Sequence, residues 1–127
     1  RSRCLVTGYG RCASILADRL KGMGAGVTVA GRDAYRLVQA HCLGYDTCLL
    51  KELESVIGEF DFIFNTIPSL VLDGALAKQL QENASVIDIA SAPGGVDFPA
   101  GTPPFPLPSF FMRPSWSISG IHRLSKK

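Results

Sequence analysis

The last thirty positions of this chain contain no acid. Residues 98–127 hold four Lys/Arg and no Asp or Glu, whereas residues 1–97 hold nine Lys/Arg and eleven acids. The net charge is only +2, so neither a nucleic acid nor a membrane surface is expected as a partner. The imbalance marks two kinds of sequence joined in one chain. Cysteine pairs at metal-ligand spacing are also missing. Cys4, Cys12, Cys42 and Cys48 form no CxxC, and His41 and His122 are far apart, so no metal site is expected. Free thiols in a reducing cytoplasm fit this pattern, with Cys12 packed against a strand. No signal peptide and no run of 18 apolar residues is present, which predicts neither export nor a membrane span. The chain begins at Arg1 rather than Met and enters a strand by Arg3, so a domain cut from a longer protein is expected. There is no Ser/His/Asp set and no His–acid pair near the expected crevice, so no catalytic residue is assigned.

What is present is a globular composition, 46% apolar and 19% charged over 127 residues, enough for one domain with a real core. Leu5-Val6-Thr7-Gly8-Tyr9-Gly10-Arg11-Cys12-Ala13 reads as a strand, a glycine turn and a helix start. Gly8-x-Gly10-x-x-Ala13 has the spacing of a dinucleotide-binding fingerprint. The first glycine allows a sharp turn. The second lets the backbone approach a pyrophosphate, and the third position needs a small residue where helix meets strand. The helix N-terminus behind the turn offers unpaired N–H groups and a positive dipole end.

The rest alternates between strand and helix. Strand one is Arg3 to Thr7, and the following helix places Ala13, Leu16, Leu20 and Met23 on one face before Gly22 and Gly24 stop it. Val27 to Ala30 is a β-branched strand. A helix over about Ala34 to Cys42 follows, with Leu37, Val38 and His41 inward. Leu43 to Thr47 is a short strand or a loop, and Leu50 to Ile57 a short helix. Asp61 to Asn65 is a buried-type strand. Asp73 caps a helix running to about Leu80, and Ser85 to Ala90 is the fifth strand. This alternation predicts an α/β fold, a doubly wound parallel sheet of about five strands. Residues 1–98 form the dinucleotide-binding domain. Residues 99–127 carry Pro99, Pro103, Pro104, Pro106, Pro108 and Pro114, and are expected to be an irregular tail, either disordered or read in an altered frame.

In such a sheet, ligands sit beyond the carboxyl ends of the strands. The candidate cofactor-binding residues are therefore Gly8, Tyr9, Gly10, Arg11 and Cys12 in the first loop, Gly31 and Arg32 in the second, Asn65, Thr66 and Pro68 in the third, and Ser91 in the fourth. The end of strand two decides the cofactor. An NAD-binding protein usually carries an acid there for the ribose 2′-hydroxyl, but here Ala30, Gly31 and Arg32 leave room and a guanidinium for a 2′-phosphate. NADP is expected over NAD. Asn65 and Thr66 are expected beside the nicotinamide ribose. Asp33 fits a helix N-cap, and Asp88 a structural role.

The chain resembles the A subunit of dipicolinate synthase, specifically its C-terminal Rossmann domain. The likeness is carried by Val6-Thr7-Gly8-Tyr9-Gly10-Arg11, by Gly24-Ala25-Gly26-Val27-Thr28-Val29-Ala30, by Phe64-Asn65-Thr66-Ile67-Pro68-Ser69-Leu70-Val71-Leu72, and by the stretch from Val86 through Asp88, Pro93, Gly94 and Gly95 to Phe98. It covers about residues 3–98. The resemblance implies oxidation of dihydrodipicolinate to dipicolinate in sporulation, NADP⁺ as hydride acceptor, an N-terminal substrate domain that is missing here, and a second subunit, B. The tail from Pro99 departs from the family pattern. On the residues alone, a 2-hydroxyacid or shikimate-type dehydrogenase domain and a non-catalytic nucleotide-binding fragment stay open, and a homo-oligomer is neither required nor excluded.

Overall fold

The computed structural model describes residues 1–90 in full, together with the backbone of 110–115 and 120–125. Five parallel strands form its centre, in the order β3-β2-β1-β4-β5: β1 (Arg3–Thr7), β2 (Gly26–Gly31), β3 (Asp46–Leu49), β4 (Phe62–Asn65) and β5 (Ser85–Asp88). The order reverses direction at β1, because β2 lies on one side of it and β4 on the other. This is the doubly wound sheet expected from the alternation, and its switch point lies between β1 and β4. Two more strands, β6 (Phe110–Ser115) and β7 (Gly120–Ser125), extend the sheet from β5, the first parallel and the second antiparallel. These two strands correct the expectation of an irregular tail after Phe98, since they pair into the sheet; residues 91–109, 116–119 and 126–127 lie outside the described residues. Pro114 does fall within β6. It is beyond Met112, the last β6 residue paired to β5, so its missing N–H removes nothing from that ladder.

The strands read as near-continuous apolar runs because both faces are covered. On one face Leu5, Ala30, Ile63 and Val86 pack with Leu53, Ile57, Phe60 and Leu72. On the other, Val6, Val27 and Val29 pack with Ala13, Ala17, Leu37, Ala40 and Tyr45. Helix α1 (Arg11–Gly22) therefore buries Ala13 and Ala17, which stand one turn apart. Met23, expected on that face, is 81% exposed. It is the C-cap rather than a helical residue, and Gly24, with φ at +92°, turns the chain away there. In α2 (Ala34–Cys42) the inward residues are Leu37 and Ala40, while Val38 is 60% exposed and His41 is exposed as well. Alanine wins at both helices because a side chain of that size lets the helix lie close against the sheet.

The expected helix over Leu50 to Ile57 is broken into a 3₁₀ turn at Leu50–Glu52, α3 (Leu53–Val56), and a second 3₁₀ turn at Ile57–Glu59. The expected helix to Leu80 is a single α-turn, α4 (Gly74–Ala77), capped by Asp73 in agreement with its sequence position. The third strand starts three residues later than Leu43, because Leu43 caps α2. All four cysteines are free. Cys12 is exposed rather than packed on the strand. Burial pushes the Cys4 and Cys48 thiols above their usual range, with Asp61 and Glu52 adding to the respective shifts.

Candidate functional site

At the carboxyl end of β1 the chain reverses through Gly8, whose φ is +93°. A Cβ there would stand 2.5 Å from Thr66 Oγ1 and 3.1 Å from Ile67 Cγ1. The Gly8 N–H donates to the Ala30 carbonyl at 2.6 Å, tying the turn to the end of β2. Glycine is thus required twice, for backbone conformation and for space. Gly10 differs. Its φ is −86°, and among the described residues the one neighbour within 4 Å of a Cβ built there is Arg36 Nη1, at 3.5 Å. Its lack of a side chain leaves the approach to the turn open.

Gly10 is also the N-cap of α1; among the described residues no side chain caps the helix by a hydrogen bond, and its first turn holds no acid. The leading N–H groups have no intrahelical acceptor by construction. They sit behind the glycine turn with a positive dipole end, which suits an anion. Arg11 and Cys12 are exposed in that first turn. The Tyr9 ring is half-buried and meets Tyr45 edge-on at 6.1 Å, so Tyr9 contributes its backbone to the turn. Burial raises the pKa of its phenol, and the Asp18 carboxylate adds to that.

Three strand ends are cross-linked beneath this turn. Asn65, at the end of β4, is 1% exposed. Its Oδ1 accepts the Thr7 hydroxyl from β1 and the Ile67 N–H, the latter at 3.3 Å. Its Nδ2 donates to the Ile67 carbonyl at 2.8 Å and to Asp88 Oδ1 of β5 at 3.0 Å. Two donors and two acceptor positions are what an amide side chain has, and all are used inside the protein. The same Asp88 oxygen accepts the Ala90 N–H at 3.2 Å. Asn65 therefore shapes the β4 loop from within. Thr66 adds a bond from its hydroxyl to the Thr7 carbonyl at 2.7 Å, which presses its oxygen against Gly8.

Two arginines flank the turn. Arg32 follows Gly31 directly at the end of β2, and its Nη2 donates to Ser69 Oγ at 3.2 Å. Since β1 lies between β2 and β4, this bond joins the loops on either side of the glycine turn. Pro68 and Ser69 are exposed at the tip of the β4 loop. Asp33 caps α2 by accepting the Tyr35 N–H at 2.9 Å, a contact worth about 1 kcal/mol. Arg36 is not among the residues expected from the sequence. Its Nη1 donates to the Tyr9 carbonyl at 3.2 Å, and its Nε stands 3.6 Å from Asp33 Oδ2. Arg36 lies in the first turn of α2, whereas Arg32 precedes the Asp33 cap and is not helical, so helical periodicity offers no signal linking the two. Gly31 is buried against Leu37. Ser91 lies outside the described residues.

The structure thus brings the expected residues of the first three loops to one end of the sheet. An apolar cavity of 420 Å³, lined in part by Arg1, Cys4, Leu20, Met23 and Phe62, opens beside the start of β1 and the end of α1, away from these loops. Among the described residues no three His, Cys, Asp or Glu converge as metal ligands, and no helix is long and apolar enough to cross a membrane.

No protein-family model matches the chain. A curated relative, the A subunit of dipicolinate synthase of Bacillus subtilis (strain 168), is 31% identical over 97 residues, which is 76% of this chain and 33% of the relative. Its crystal structure superposes with a TM-score of 0.74 over the same shares. The corresponding dipicolinate synthase protein from Bacillus halodurans gives 30% identity and a TM-score of 0.74, again over 76% of this chain and 33% of that one. CAD from Helicobacter pylori, solved in complex with NADP(H), is 26% identical with a TM-score of 0.59, over 70% of this chain and 25% of that one. The chain spans about one third of the length of the dipicolinate synthase proteins it matches. This chain is therefore a Rossmann-fold domain related, over three quarters of its own length, to the A subunit of dipicolinate synthase.

Proposed function

We propose that this domain binds NADP(H) and is the cofactor domain of an oxidoreductase of the dipicolinate synthase kind. The observation that carries this reading is the pairing of an open, acid-free α1 N-terminus behind Gly8 and Gly10 with a β2 end that carries Arg32 in place of a carboxylate. The first feature accepts a pyrophosphate. The second favours a 2′-phosphate over a bare ribose hydroxyl, which an acid would serve. The residues present fit the group: Gly8, Tyr9, Gly10, Arg11 and Cys12 line the pyrophosphate side, Gly31 and Arg32 the adenosine side, and Thr66 and Pro68 the nicotinamide side. Asn65 acts from below by holding that loop.

The bound nicotinamide supplies the hydride acceptor. This chain supplies its binding and orientation, the larger part of what such chemistry asks of a protein. The substrate in this reading is dihydrodipicolinate, oxidised to dipicolinate in sporulation. A substrate domain N-terminal to this one and a second subunit, B, complete the enzyme in the cytoplasm. The domain alone binds cofactor without turnover.

The experiment is a titration of the chain with NADP⁺ and NAD⁺ by calorimetry, with dihydrodipicolinate oxidation assayed in parallel. NADP⁺ binding tighter than NAD⁺, without turnover by the chain alone, is the expected result. Equal or tighter NAD⁺ binding rejects the NADP assignment, and binding of neither rejects the cofactor reading.

A further inference from the structure

We infer that Asp88 is a positioning residue for the nicotinamide end of the cofactor, acting through Asn65 on the loop that follows β4. The inference rests on the cofactor reading above and extends it to a buried acid outside the glycine fingerprint. Thr7, Asn65 and Asp88 are register partners across β1, β4 and β5. They stand two residues beyond Leu5, Ile63 and Val86, so by strand alternation they share that face of the sheet. A polar rung thus caps an apolar one at the carboxyl edge of the strands. Asp88 is 0% exposed, and Thr7 and Asn65 are buried with it. A buried acid costs stability unless its oxygens are bonded. Asp88 Oδ1 accepts the Asn65 amide at 3.0 Å and the Ala90 N–H at 3.2 Å.

The chemistry turns on which way the Asn65 amide faces. A carboxylate only accepts hydrogen bonds, whereas an amide has a donor end and an acceptor end. Asp88 therefore draws Nδ2 toward β5 and leaves Oδ1 for the Thr7 hydroxyl on β1. Held this way, the one amide grips Ile67 from both sides. Its Oδ1 takes the Ile67 N–H at 3.3 Å, and its Nδ2 gives to the Ile67 carbonyl at 2.8 Å. Turning the amide over would set donor against N–H, oxygen against carbonyl, and oxygen against the Asp88 carboxylate. All three contacts would become repulsive at once, so one acid selects one orientation. That orientation fixes Thr66 and Pro68, which flank Ile67 and form the nicotinamide side of the site. Thr66 is bonded in turn to the Thr7 carbonyl at 2.7 Å and stands against Gly8, so the same orientation sets the gap between this loop and the glycine turn.

The test uses the full chain and two probes: NADPH, and ADP-ribose 2′-phosphate, which lacks the nicotinamide. Calorimetry reads both affinities, and nicotinamide fluorescence reads the environment of bound NADPH. Asp88→Ala is expected to weaken NADPH roughly tenfold, the loss of one hydrogen bond to a charged group. The fluorescence of the bound cofactor should return toward that of free NADPH. ADP-ribose 2′-phosphate should stay within about twofold of its parent affinity, as an independent site does. Asp88→Asn keeps an acceptor at Oδ1 and should retain most of both NADPH signals. Equal losses for the two ligands in Asp88→Ala would assign the acid to the fold alone and overturn the inference. So would unchanged NADPH affinity and fluorescence. Thr7→Val serves if Asp88→Ala does not fold, since it keeps the volume and removes only the hydroxyl at the acceptor end of the amide. A loss confined to NADPH then supports the inference, and a loss shared by both ligands or by neither overturns it. A parent chain that binds neither ligand rejects the cofactor reading itself, and is recognised before any variant is made.

Discussion

The hydroxyl oxygen of Thr66 lies 2.5 Å from the position that a Cβ on Gly8 would occupy, and the same oxygen is bonded to the Thr7 carbonyl at 2.7 Å. The loop after β4 is thereby pressed onto the turn after β1, and the switch point of the sheet is closed by a contact that only glycine permits. Two glycines two residues apart do different work: Gly8 lets the protein fold tightly here, and Gly10 leaves room for something else.

Gly8→Ala is therefore a stability variant. It combines a φ of +93° with the Thr66 clash, and a cost of about 2–3 kcal/mol is expected from strain and displacement together. Urea midpoints of the two proteins measure it. Adding Thr66→Ala should return only part of the loss, because the positive φ remains. A midpoint unchanged by Gly8→Ala would show that the turn relaxes freely.

Gly10→Val should leave the fold nearly intact, since the nearest obstacle is the end of the Arg36 side chain at 3.5 Å. It should nevertheless abolish dinucleotide binding by filling the approach to the turn. Calorimetric titration beside a melting curve separates the two effects. Unchanged titration would remove Gly8-x-Gly10 from the binding site.

Arg32→Ala should weaken NADP⁺ by about 1–3 kcal/mol, the range of one charge-assisted bond, and NAD⁺ by much less. Its contact with Ser69 is exposed, so little stability is lost with it. Parallel titrations decide the point, and equal losses for the two cofactors would reject a 2′-phosphate role.

Asp61 carries a pH dependence unconnected with the site. The Arg3 N–H, then the Gln81 amide, each at 2.8 Å, hold its carboxyl below the usual aspartate range. A depressed native pKa stabilises the fold above the unfolded value of about 3.9, and that stabilisation is lost as pH falls through the lower native value. Asp61→Asn should therefore be less stable than the parent at pH 7, and the gap should shrink in acid, below the unfolded value. Denaturation midpoints at pH 7 and in acid check this, and a gap that persists in acid would assign the difference to geometry instead of charge.

Much of the fold follows from short-range patterns. The run from Leu5 to Ala13, the β-branched Val27 to Val29 and the apolar Phe62 to Phe64 declare strands and a glycine turn because their side chains and backbone allow little else. Asp33 and Asp73 are caps by the same local logic. Local logic gets the helix faces only in part, however: Ala13, Leu16, Leu20 and Leu37 pack on the sheet as expected, while Met23, Val38 and His41 do not. A 3.6-residue period identifies stripes but not which one meets the sheet, and here close approach selects Ala17 and Ala40 over Met23 and Val38. The helix after Leu50 is shorter than its pattern suggests, flanked by 3₁₀ turns at Leu50–Glu52 and Ile57–Glu59, and the helix after Asp73 is a single turn.

The amino-acid sequence by itself determined the α/β alternation, the glycine turn and the absence of a carboxylate where β2 ends, because each depends on residues adjacent in the chain. Tertiary structure decided what those residues do. It turned Asn65 inward to bond Thr7 and Asp88 across three strand ends, and it set Thr66 against Gly8. It also swung Arg36 back over Tyr9. These relations join residues up to 59 positions apart. They exist only because parallel pairing brings the carboxyl ends of β2, β1, β4 and β5 side by side, and buried polar groups must then find their partners there.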